Sequence, residues 1–64
     1  MKRCSSAEII RILKANGWYL DSIKGDHHQF EHPKKSGKVT VPHPVKDLGI
    51  TTVKSISKQS GIQL

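Results

Sequence analysis

A single cysteine, Cys4, leaves this chain unable to form an internal disulfide, and no neighbouring motif makes that thiol a nucleophile. A reduced thiol in a cytoplasmic protein is the plain expectation. Without a cysteine pair there is no zinc-ribbon or finger pattern. The four histidines, His27, His28, His32 and His43, fit no standard ligand spacing either, so no metal is expected. No apolar run approaches the roughly 20 residues needed to span a bilayer. Lys2 and Arg3 are followed by no apolar stretch, which argues against a secretory signal and against membrane partners. Aromatics are scarce, with one each of Trp, Tyr and Phe. At 64 residues the chain has room for one domain, spanning 1–64. A domain of that size buries only about 60% of the surface its unfolded chain exposes. A deep cavity for a small-molecule cofactor is therefore not expected, and function must sit on a surface.

Acidic residues are also few, five against eleven Lys and Arg, giving a net charge of +6. With a membrane disfavoured, that excess points to nucleic acid.

The candidate core is Ile9, Ile10, Leu13, Trp18, Leu20, Phe30, Val39, Val41, Leu48, Val53, Ile56 and Ile62. It suffices for one helical layer on one sheet. Ser5 and Glu8 form a capping box, Ile9, Ile10 and Leu13 recur at helical spacing, and Asn16-Gly17 stops the helix. This predicts a helix over 6–15. Strands are expected at 18–23 and 27–32, separated by the Gly25-Asp26 turn. The stretch 33–37 then makes a polar turn and 38–41 a third strand, ended by Pro42 and Pro44. A second helix is expected from a Thr51 or Thr52 cap to about Ser60, closed by Gly61. The order is α-β-β-β-α. The class is α+β, a three-stranded antiparallel sheet with both helices on one face.

Alternation then sorts the side chains. Phe30 must face the core, and His28 and His32 share its parity. His27, Gln29 and Glu31 face the other way, joined by Lys38 and Thr40 of the next strand and by Lys24 before the turn. Such a face suits RNA. Lysines hold phosphates, amides and hydroxyls reach sugars, and an exposed imidazole, with an ordinary pKa of about 6.5, moves protons near neutral pH. RNA brings its own nucleophile, the 2′-hydroxyl. Lys34 and Lys35 are either a solvated turn or phosphate contacts, and His43 is a rim residue or a contact to RNA or a partner. Trp18 and Tyr19 offer stacking surfaces, with core packing the simpler role for Trp18. A small double-stranded-RNA-binding module without catalysis would share the fold and the charge. A purely protein-binding domain would share the charge alone.

Several segments occur in a familiar order: Ala15-Asn16-Gly17 after the first helix, Gly25-Asp26-His27 before the second strand, Val41-Pro42-His43, the run Pro44-Val45-Lys46-Asp47-Leu48, and Ser60-Gly61-Ile62. Together they resemble the HicA family of toxin–antitoxin systems over nearly the whole chain. The resemblance implies a fold like a double-stranded-RNA-binding domain. It also implies a cytoplasmic, metal-independent endoribonuclease that cleaves mRNA, arrests translation and is masked by a HicB-type antitoxin. The family's catalytic histidine, in Gly-Ser-His, falls on His27. Here Asp26 replaces the serine. Its carboxylate would attract an imidazolium and repel phosphate.

Overall fold

The computed structural model describes residues 4–64, so the signal-peptide reading based on Lys2 and Arg3 lies outside the described residues. The elements are α1 (Ser6–Ala15), β1 (Tyr19–Lys24), β2 (His27–His32), β3 (Lys35–Pro42) and α2 (Ile50–Ser60). The strands form one antiparallel sheet in the order β1-β2-β3. This is the α+β arrangement expected, with one core built from both helices and one face of the sheet. Among the described residues no helix is long and apolar enough to cross a membrane.

Helix α1 starts where the capping box requires. The Glu8 backbone N–H donates to Ser5 Oγ at 3.1 Å, and Ser5 N–H donates back to Glu8 Oε1 at 3.1 Å. It ends in a Schellman closure: Trp18 N–H donates to Leu13 O at 3.0 Å and Gly17 N–H to Lys14 O at 3.2 Å. That closure holds Trp18, so β1 begins one residue later than expected, at Tyr19. Gly17 takes φ +91, and a Cβ there would lie 2.7 Å from His32 Nε2. Both the backbone and the close ring therefore demand glycine.

Strand β3 starts at Lys35 rather than Lys38, because the β2–β3 connection is shorter than its Pro, Ser and Gly content suggests. His32 pairs with Lys35, and the Lys34 N–H donates to His32 Nδ1 at 3.0 Å. The other ring nitrogen, Nε2, donates to Asn16 O at 3.0 Å, which fixes the neutral tautomer and ties this hairpin to the end of α1. Helix α2 starts at Ile50 with Gly49 as N-cap and no side-chain cap, not at a threonine. Gly61 closes it in the left-handed region, as expected.

Ile9, Leu13, Trp18, Phe30, Val39, Val41, Leu48, Val53 and Ile56 form the buried core. Three expected members do not join it. Ile10 and Ile62 are half-buried against the core, and Leu20 is 42% exposed. A register shift in β1 between Leu20 and Ser22, with Asp21 as the extra residue, does not turn Leu20 away from the core side. Leu20 pairs with Phe30 and Ile23 with His28, so both share the helical side of the sheet. Both helices pack against β3, however, and β1 projects beyond them.

Candidate active site

The face of the sheet turned away from the helices is built by pairings across all three strands. Lys24 pairs with His27, and His27 with Pro42. Gln29 pairs with Ser22 on one side and Thr40 on the other, and Ser22 Oγ donates to Gln29 Oε1 at 3.4 Å. The imidazole, amide, ammonium and hydroxyl groups expected on one surface are thus brought together at one end of the sheet. The His27 side chain is 60% exposed, and its Nε2 lies 3.6 Å from the still more open Asp26 carboxylate. At that distance and exposure the pair is screened and leaves the ring free to meet a ligand.

Farther along the same face, Lys38 is engaged. Its Nζ donates to Asp21 Oδ2 at 3.2 Å. Asp21 also hydrogen-bonds Glu31, which, together with Lys38, holds its carboxyl below the usual aspartate value. Glu31 is pushed up in turn, because Asp21 shares a hydrogen bond with it and repels a second negative charge. An expected phosphate-binding cation therefore sits within a carboxylate pair. Asp21 was not among the residues the sequence singled out. Only the bulge sets Asp21 and Ser22 side by side on this face, and regular alternation conceals it.

The remaining candidates lie elsewhere. Lys34 and Lys35 are at the opposite end of β2 from His27, roughly 17 Å along the strand at about 3.3 Å per residue. Lys35 Nζ donates to Ser60 O at 3.2 Å, where a cation complements the C-terminus of α2. Lys34 is exposed in the turn. His43 is at the His27 end but turned to the helical side. Its Nδ1 is 2.6 Å from Ser6 Oγ, and its ring meets His28 edge-on at 4.9 Å. Its backbone N–H donates to Asp26 O at 2.7 Å, bracing the turn that presents His27. Trp18 is 2% exposed, in the core, whereas Tyr19 is 50% exposed and pairs with Glu31. Among the described residues no three His, Cys, Asp or Glu side chains converge as metal ligands.

Residues 6–62 match the family described as "HicA toxin of bacterial toxin-antitoxin", which covers both helices and the whole sheet. The chain belongs to the HicA toxin family. No curated protein matches it. Its role as a HicA toxin, one half of a toxin–antitoxin partnership, follows from that membership. In this HicA toxin the turn from Gly25 to His27 joins β1 to β2. It stands at the open end of the sheet face, clear of the core.

Proposed function

We propose that this HicA toxin is a metal-independent endoribonuclease that cleaves mRNA in the cytoplasm and so arrests translation, with His27 as its general acid or base. The observation that carries this is the placement of an open imidazole beside Lys24, at the end of a polar sheet face. RNA laid along that face would meet Lys24 through phosphate, and Gln29 and Thr40 through sugar hydroxyls. Lys38 would add a phosphate contact once it leaves Asp21. Lys34 and His43 are peripheral to this path, and Lys35 is held by α2. Tyr19 offers an aromatic face for a base.

In the proposed reaction the ribose 2′-oxygen attacks the adjacent phosphorus. The new O–P bond forms as the bond to the 5′-oxygen breaks. The 2′-hydroxyl proton passes to a base, and the leaving 5′-oxygen gains a proton from an acid. His27 performs one of these transfers, a role typically contributing about 10²–10⁴ in rate. The products are a 2′,3′-cyclic phosphate and a 5′-hydroxyl. A HicB-type antitoxin would restrain this activity by covering the face, its carboxylates matching the toxin's positive charge.

The test is end-group analysis of RNA incubated with pure protein and a chelator. Cyclic phosphate ends are expected from the wild type and none from His27→Ala, which should still fold and bind RNA. Full cleavage by His27→Ala, or products bearing a 5′-phosphate, would reject the mechanism. RNA binding without cleavage by the wild type would leave a double-stranded-RNA-binding module.

A further inference from the structure

An open cavity of about 330 Å³ lies at the His27 end of the sheet, where the first turn of α1 faces the segment that follows β3. The stretch from Ser5 to Ala7 forms one wall, and the stretch from His43 to Lys46 forms the other. The two walls are clasped together. Ser6 N–H donates to Val45 O and Val45 N–H to Ser6 Oγ, both at 2.8 Å, and Ser6 Oγ lies 2.6 Å from His43 Nδ1. These polar groups satisfy one another, so the surface they leave is mainly apolar and already formed. Lys46, which is exposed, is the one Lys, Arg, Asp or Glu among the lining residues. Pro42, next to His43 in the chain, pairs with His27, which brings the His27 and His43 backbones within about 10 Å of each other. His43 N–H also donates to Asp26 O at 2.7 Å, so the cavity wall is joined directly to the turn that presents His27. A ligand suited to this cavity is compact, largely apolar and attached to a negative charge. A nucleobase with its phosphate has that chemistry. Bases of a duplex stay stacked and paired, whereas a single strand can splay one out.

We infer that this cavity receives an unpaired base of the RNA substrate, next to the phosphate cut at His27, with Lys46 on a neighbouring phosphate. This rests on the RNA cleavage proposed above and adds its substrate class, single-stranded RNA. The strand would leave the polar face at Lys24 and His27 and turn over the end of β3 past Pro42. Holding the base fixes the adjoining ribose, which limits the orientations its 2′-hydroxyl can take toward the phosphorus. The lining residues act by positioning and exchange no proton with the substrate.

The experiment compares a single-stranded oligoribonucleotide whose cut is mapped, the same strand with an abasic ribose placed in turn on either side of the cut, and the strand annealed to its complement. The abasic ribose keeps its 2′-hydroxyl, so only the base is removed. One of the two abasic strands should show a KM raised about tenfold, within the range for loss of one held base. The duplex should be cut poorly. Ala7→Trp, at an exposed position of the cavity wall, should raise the KM of the intact strand to that of the abasic one and erase the difference between them. Lys46→Gln should weaken binding and reduce the salt slope by about 0.7 while keeping that difference. Titration of the wild type with adenosine 3′-monophosphate, followed by amide NMR, should shift Val45 and Lys46. If Ala7→Trp fails to fold by circular dichroism, the abasic comparison and this titration, which need only the wild type, still decide. Equal KM for the intact and both abasic strands would overturn the assignment, as would equal cleavage of the duplex or unaltered cleavage by a folded Ala7→Trp. Shifts at Val45 and Lys46 with the antitoxin but not with the nucleotide would give the cavity to the partner instead. Nucleotide shifts at the cavity without cleavage of any RNA would support the base site and sink the nuclease reading alone.

Discussion

Lys38 Nζ lies 3.2 Å from Asp21 Oδ2, so a cation of the third strand is paired across the sheet with a carboxylate of the first. Both groups are substantially exposed, and the pair contributes little to stability. Its consequence is for ligand binding, since a phosphate must compete with Asp21 and Glu31 for that ammonium. Replacing both acids, Asp21→Asn with Glu31→Gln, should therefore tighten RNA binding. Releasing one more phosphate contact should steepen the slope of log affinity against log salt by about 0.7 for single-stranded RNA. Fluorescence anisotropy across a salt series reads both quantities. Weaker binding by the double variant would mean that the carboxylates themselves contact RNA.

The same carboxylate pair predicts opposite titration behaviour at two neighbouring sites. Asp21 is held low, first by its hydrogen bond with Glu31 and then by Lys38. Its contribution to stability is present above its unfolded pKa and is lost as pH falls through the folded one. Glu31 is raised by Asp21. Its contribution is complete when it is protonated, below its unfolded pKa, and is lost as pH rises through its folded value. The favoured state lies between, with Glu31 protonated and Asp21 charged. Carboxyl carbon NMR should show Glu31 titrating above an ordinary glutamate and Asp21 below an ordinary aspartate. In Glu31→Gln the amide stays neutral, and the loss of stability on the alkaline side should vanish. Two ordinary midpoints would mean that the pair does not form in solution.

Gly17→Ala should destabilise the fold by more than its conformational cost alone. A non-glycine residue in the left-handed region costs about 1–2 kcal/mol. The added methyl group would also approach His32 Nε2 to 2.7 Å, displacing the ring that joins Asn16 to Lys34. Urea unfolding should show a lower midpoint with an unchanged slope. Amide exchange should quicken at Lys34, whose N–H loses its acceptor. A midpoint equal to that of the wild type would show that the close ring is dispensable.

Much of this architecture was legible because local pattern and tertiary environment agree. Phe30 fixes the face of β2 by itself, and the opposite face of His27, three residues away, follows from it. The Ser5–Glu8 box and the Gly17 and Gly61 stops are written within a few residues of the ends they make. What was hidden depends on distant partners. An extra residue in β1 is visible only against the register of β2, which conceals Asp21 on the polar face, and the exposure of Leu20 shows only once both helices are seen to sit over β3. Lys35 resembles turn residues until the end of α2 arrives beside it. His43 reads as a rim residue until Ser6, 37 positions earlier, is seen at its ring.

That last contact carries a prediction of its own. Ser6 is 1% exposed, and its hydroxyl oxygen accepts the Val45 N–H at 2.8 Å while lying 2.6 Å from His43 Nδ1. Ser6 N–H also donates to Val45 O at 2.8 Å, so the first turn of α1 clasps the segment that follows β3. His43, in that segment, donates its backbone N–H to Asp26 O in the turn before His27. Ser6→Ala keeps the backbone bond but leaves the Val45 N–H without its acceptor. The expected loss is about 1–3 kcal/mol, the cost of a buried donor left unmade. Amide protection should fall at Val45, where the acceptor is removed, and at His43, whose ring loses its anchor. RNA cleavage should drop modestly, by misplacement of the turn, and far less than in His27→Ala. If Ser6→Ala abolished cleavage with stability and exchange intact, the hydroxyl would have to act in the reaction itself, and the bracing role assigned to His43 would be wrong.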